Sequence, residues 1–241
     1  MNDGLDNLIR RWASLGAGFN AEPSGKNIDL ERLLLETARH VPDMARLLIV
    51  PATWLHLYGD LIAKRRLRRL IFDELDPEYH AILGLLLDTA QQGTHPLEFQ
   101  IVIKQLKPFE QAQPLFESAR RNSKLAELAE RKASSLSRKW SLWCQPVEFK
   151  VDAIRPASWI LARHPQLRTR ADFRGDLRAS ILAALRYDPG AGDSVFRLAK
   201  SAGGSRAQVH NALRNLQMTG RVTVRRVEGA NRRQVSLGQA A

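Results

Sequence analysis

The chain has 241 residues and a mass of 27.2 kDa, room for one large or two small domains, and its 44% hydrophobic content is enough for a buried core. Lys and Arg number 37 against 25 Asp and Glu, giving a net charge of +12 and a pI near 10.5, a balance that points to a polyanionic partner whose neutralised phosphates release counterions. The single cysteine, Cys144, excludes an intrachain disulfide and a cysteine-based zinc site. No apolar run of 18 residues is present to span a membrane. The acidic start, Met1 to Asp6, lacks the apolar stretch of a secretory signal, so a cytoplasmic protein is expected.

In chain order, residues 1–28 read as an N-terminal arm, with one weakly amphipathic segment (Leu5 to Leu15) and a Gly/Asn/Pro/Ser-rich loop from Gly16 to Asn27. Asp29 is placed to cap a helix reaching about His40, with Leu30, Leu33, Leu34 and Leu35 on its apolar face. Val41-Pro42-Asp43 breaks it, and a helix restarts at Met44 and meets Pro51. A long helical stretch is expected from Ala52 to Leu75. It contains Lys64, Arg65, Arg66, Arg68 and Arg69, five cations in six residues. These are candidates for a second set of phosphate contacts. The alternative is a solvated face balanced by Asp60, Asp73, Glu74 and Asp76.

Asp76-Pro77-Glu78 opens the next helix with proline at its first position and acids at its positive end. Ile82, Leu83, Leu85, Leu86 and Leu87 make that helix apolar nearly all round, hence central to a core. Leu97 to Lys107 fits a strand or a short buried helix. Leu115 to Trp143 reads as one long amphipathic helix whose stripe (Leu125, Ala129, Leu136, Trp140, Trp143) serves dimerisation or packing within the subunit. Val147 to Asp152 alternates like a short strand. The expected division is therefore 1–28 arm, 29–170 helical domain and 171–241 C-terminal domain.

The C-terminal quarter carries the clearest order. Asp176 is placed to cap a helix from Leu177 to Arg186, and Tyr187 to Gly192 form a loop. A short apolar-periodic segment, Val195 to Lys200, follows, then the break Ser201-Ala202-Gly203-Gly204-Ser205. Gly203 and Gly204 suit a tight turn, and Ser205 is an N-cap for a helix to Met218. In that helix Val209, Ala212, Leu213 and Leu216 recur at i, i+3, i+4 and i+7 as a buried stripe. Arg206, Gln208, His210, Asn211, Arg214 and Asn215 occupy the other faces, and each can donate a hydrogen bond. After Gly220, two alternating segments carry Val222, Val224, Val227, Val235 and Leu237, with Arg225, Arg226, Arg232 and Arg233 near the tip.

Helix, glycine turn, helix and basic hairpin in this order resemble the winged helix-turn-helix of MarR, ArsR and GntR regulators, over about Gly175 to Leu237. The resemblance implies a mostly α fold with a small β-hairpin wing, and a double-stranded DNA partner. Arg206, Gln208, His210 and Asn211, opened by Ser205, would read base edges. Arg214, Arg225, Arg226, Arg232 and Arg233 would hold phosphates or the minor groove. The function expected is a DNA-binding transcriptional regulator, a repressor acting as a homodimer. The competing expectation is an antitoxin-like or accessory protein of a defence or mobile-element system, with a protein partner and DNA binding secondary. Catalytic signatures are missing: the sequence has no HExxH, P-loop, GxGxxG or GxSxG, and its six histidines show no helical metal spacing. Neither enzymatic activity, nor a metal, nor a cofactor is expected. Asp60, Asp73 and Asp152 are the carboxylates a nuclease-like cluster would need, and sequence spacing does not join them.

Overall fold

The computed structural model describes residues 3–25, 27–93, 98–226 and 232–239. The chain is mostly α, with a two-stranded antiparallel hairpin near its C-terminus. It divides into two compact units, Met1–Gly59 with Glu74–His164, and Asp60–Asp73 with Pro165–Ala241. No helix among the described residues is long and apolar enough to cross a membrane.

The first unit begins with α1 (Asp3–Ser14), acidic in its first turn and basic in its last, as the helix dipole favours. Its Trp12 donates Nε1–H to Thr37 Oγ1 at 2.9 Å, on α2 (Leu30–His40), whose N-cap is the expected Asp29. The helix α3 (Arg46–Tyr58) runs through Pro51 instead of meeting it. Proline removes one helical N–H donor, yet Leu47, Leu48, Val50, Ala52, Trp54 and Leu55 are all buried on either side, and that burial outweighs one lost bond. Trp12 and Trp54 meet edge to face, centroids 5.7 Å apart. The helix α3 ends at Gly59, so the single stretch expected from Ala52 to Leu75 is two helices. The second is α4 (Lys64–Glu74), and all but its last residue belongs to the second unit.

A one-turn 3-10 segment, Pro77–Tyr79, leads into α5 (His80–Ala90), in which every residue from Ala81 onward is buried. Trp140 lies flat against it at Gly84, where a Cβ would fall 2.3 Å from the indole ring. Trp140 Nε1 donates to Asp88 Oδ2 at 2.9 Å. Of the two readings left open for Leu97 to Lys107, the described part is the helix, α6 (Gln100–Ile103).

The long helix expected from Leu115 to Trp143 does not form. The segment is α7 (Glu117–Arg120), α8 (Ser123–Arg131) and α9 (Ser135–Lys139), and two-residue strands β1 (Gln113–Pro114) and β2 (Leu142–Trp143) pair in parallel across it. The physical reason is local: Asn122 and Ser134 adopt extended backbone and cap new helices, accepting from Leu125 N and Ser137 N. The proposed stripe is thereby split, and Leu125 and Leu128 face solvent. The strand expected at Val147 to Asp152 is also absent: the chain is irregular to Lys150, then makes a 3-10 turn at Val151–Ala153. Next comes α10 (Ala157–Arg163).

The second unit continues with α11 (Gln166–Phe173) and α12 (Leu177–Tyr187), the latter capped by Asp176 as expected. After a 3-10 turn at Ala191–Asp193 come α13 (Val195–Ala202), α14 (Arg206–Met218) and the hairpin β3 (Val222–Arg226) with β4 (Arg233–Leu237). Val227 lies outside the described residues. The core joins Ile181, Ala184, Leu198, Ala202, Val209, Leu213, Leu216, Val222 and Val235. The anticipated stripe of α14 is therefore the stripe it buries, with Ala212 at its margin.

Candidate nucleic-acid interface

The geometry starts at the turn between α13 and α14. Gly203 has φ +71°, the left-handed conformation that ends α13, and a Cβ there would lie 2.5 Å from the carbonyl oxygen of Arg65. Ser205 then opens α14 with a capping box: its Oγ accepts from Gln208 N at 3.2 Å, and Gln208 Oε1 accepts from Ser205 N at 3.1 Å. Gln208 Oε1 also accepts from Arg65 Nη1 at 3.3 Å. Both neighbours are donors, so the amide oxygen must face them. This changes the part given to Gln208. With its acceptor engaged twice, it would have to release these bonds to make the bidentate pair with adenine that a free Gln makes.

Ser205, Arg206, Gln208, His210, Asn211 and Arg214 are all exposed, as are Arg225, Arg226, Arg232 and Arg233 on the hairpin. Within that set, Asn211 Oδ1 accepts from Arg214 Nη2 at 3.0 Å. Asn215, on the flank of the same helix, is half-buried and accepts from Arg178 Nη1 at 3.2 Å, which sets it apart from the exposed group. In the hairpin, Val222 pairs with Leu237 and Val224 with Val235, the inward positions of a ribbon with period two. Arg226 pairs directly with Arg233. Like charges facing each other across a ladder are unfavourable, and a bound polyanion would remove that repulsion.

One contributor was not apparent from sequence. Phe196, in the first turn of α13, fits the apolar periodicity of a core residue but is 56% exposed. The guanidinium of Arg206 sits over its ring, 4.6 Å from the centroid, a cation–π contact that fixes the arginine's direction. The only signal available in sequence was a large aromatic one residue into a short basic helix.

No family model, curated protein or solved structure matches this chain.

The basic run 64–69 resolves into different roles. Arg66 is fully buried, and its Nε and Nη2 reach Asp188 Oδ2 and Oδ1 at 2.9 and 2.6 Å. It also lies over the Tyr187 ring. The expectation that Arg66 contacts phosphate is therefore corrected: an internal fork to a carboxylate uses it. Lys64 is largely covered, beside Asp60 and the Arg174 carbonyl. Arg69 pairs with Asp73 at 2.6 Å, Arg65 is half-buried and Arg68 is exposed. The segment Asp60–Asp73 groups with Pro165–Ala241 in the second compact unit.

Of the three carboxylates weighed for a nuclease-like cluster, Asp60 binds Arg174 and Asp73 binds Arg69 in one unit, while Asp152 is an exposed residue of the other. Cys144 is buried, and burial pushes its thiol up to about 11. That is the behaviour of a small hydrophobe rather than of an activated nucleophile.

Proposed function

We propose that this protein is a DNA-binding transcriptional regulator, a homodimeric repressor working at the nucleoid, whose second unit is a winged helix-turn-helix. In this reading α14 enters the major groove, with Arg206, His210 and Asn211 toward base edges. Arg214 and the hairpin arginines Arg225, Arg226, Arg232 and Arg233 hold backbone phosphates or the minor groove. Ser205 and Gln208 hold the start of the helix in place.

The observation that carries the reading is the placement of charge. The second unit contains 19 Lys or Arg against 7 Asp or Glu, whereas the first contains 18 of each. The protein's whole excess of +12 thus resides in the unit that bears the exposed donors and the facing pair Arg226 and Arg233. Opposed like charges cost stability in the free protein, and duplex DNA is the ligand that turns that cost into affinity.

The test is fluorescence anisotropy with two duplexes, the gene's own upstream region and a scrambled one, titrated at several salt concentrations. A preference of roughly a hundredfold or more for the native duplex is expected. Replacing all four hairpin arginines with alanine is expected to lower the slope of log K against log salt by up to about 3.6, about 0.9 for each phosphate lost. Unchanged affinity and slope in that variant would overturn the reading.

A further inference from the structure

Resting on that reading, we infer that α4 is part of the DNA-binding face, with Arg65 and Arg68 contacting the phosphate backbone beside the start of α14. The fold brings this segment, some 140 residues upstream in sequence, against the start of α14.

Three contacts fix the segment within the second unit. The Arg65 carbonyl packs so closely on the α13–α14 turn that only glycine fits at position 203. Arg66 is locked to Asp188 by its buried two-point ion pair. The Ile62 carbonyl packs as closely on Gly175, where a Cβ would lie 2.4 Å away. A helix attached by backbone contact and a buried ion pair holds the backbone from which its outer side chains project at a fixed position.

Those outer side chains are cationic. The inward positions of α4 are Arg66, Leu67, Leu70 and Ile71. Arg65 and Arg68 are one turn apart and therefore neighbours on another face. Arg65 reaches the first turn of α14 directly, through Gln208 Oε1. A guanidinium carries five donors in a planar fork, so a bond to Gln208 is compatible with a phosphate oxygen on the other side of the same group. When a recognition helix enters the major groove by its N-terminal residues, the sugar-phosphate backbone flanks that end. Arg65 stands there, and Arg68 continues the line. Between Asp60 and Asp73 five Lys or Arg face two Asp, so the segment adds +3 to the unit.

The experiment measures duplex affinity against salt for the full-length protein, for Arg65→Ala, Arg68→Ala and the double variant, and for Arg121→Ala in the first unit as a control of equal charge loss. Each single variant is expected to lower the slope by about 0.9 and the double by about 1.8, with Arg121→Ala unchanged. Arg65→Lys, which keeps the charge, should retain most of the slope. If Arg65→Ala fails to fold, Arg68→Ala reads the same contact without touching Gln208. Weaker binding with an unchanged slope would overturn the inference, since it would make Arg65 a prop for α14 and nothing more. So would unchanged affinity in the double variant while the hairpin variant still loses slope. If the unsubstituted protein binds no duplex at low salt, it is the DNA reading itself that fails.

Discussion

The two units are built from similar helices but treat charge in opposite ways. In the first, 18 cations and 18 anions cancel, and the structure turns on apolar packing such as α5, buried from Ala81 onward, and the Trp12–Trp54 contact. All five tryptophans lie there. In the second, 19 cations meet 7 anions, and part of that excess is kept inside or pinned in place. Arg66 is sealed against Asp188, and Phe173 has Arg178 and Arg221 over its ring, 4.3 and 5.2 Å from the centroid. Charge density in a small unit thus has two uses here, one structural and one directed outward. Counting basic residues does not separate them.

The two units can be followed separately, because tryptophan fluorescence excited selectively reports the first unit alone while far-ultraviolet circular dichroism reports both. The largest effect is expected from Asp188→Ala, which removes the carboxylate of the two-point ion pair from the buried Arg66 guanidinium. A loss of about 3–5 kcal/mol is expected in the dichroism transition of the second unit, with the fluorescence transition unmoved. Coincident shifts in both signals would show that the units do not unfold separately.

The next effect belongs to the first unit. Burial raises the Cys144 thiol from its ordinary 9.0 to about 11. The folded state therefore favours the protonated thiol, a contribution complete below pH 9 and lost as pH rises toward 11. The fluorescence-monitored stability should fall by roughly 2 to 3 kcal/mol more over that interval in the natural protein than in Cys144→Ala. Equal pH dependence in both proteins would refute the assignment.

Gly203→Ala should cost about 1–3 kcal/mol in the second unit, through its left-handed backbone and the approach of the Arg65 carbonyl. The readout is again the dichroism transition. Smallest is Phe196→Leu, which removes the ring beneath Arg206. At about 0.5–1 kcal/mol for an exposed cation–π contact, duplex affinity should drop about two- to fivefold. Phe196→Trp should restore it, whereas a ring that only fills space would be replaced equally well by leucine.

Much of the second unit was legible residue by residue. Asp176, Ser205 and the Val209-Leu213-Leu216 stripe act within a few residues of themselves, so capping and periodicity suffice to place them. Helix boundaries failed where local chemistry competes with periodicity. Asn122 and Ser134 cut the expected long helix because each can cap the next segment, and Pro51 failed to stop α3 because buried neighbours on both sides sustain it. The mostly α composition, the hairpin at the end, the basic surplus and the donors along α14 thus follow from local residue chemistry alone. Only the tertiary structure decided which cations are structural, where Gln208 spends its amide oxygen, and that residues 60–73 join the C-terminal unit. Those facts depend on contacts between residues more than a hundred positions apart, such as Arg66 with Asp188 and Arg65 with Gln208. No local pattern encodes such pairs, because what selects them is the cost of leaving a buried charge or a backbone carbonyl without a partner.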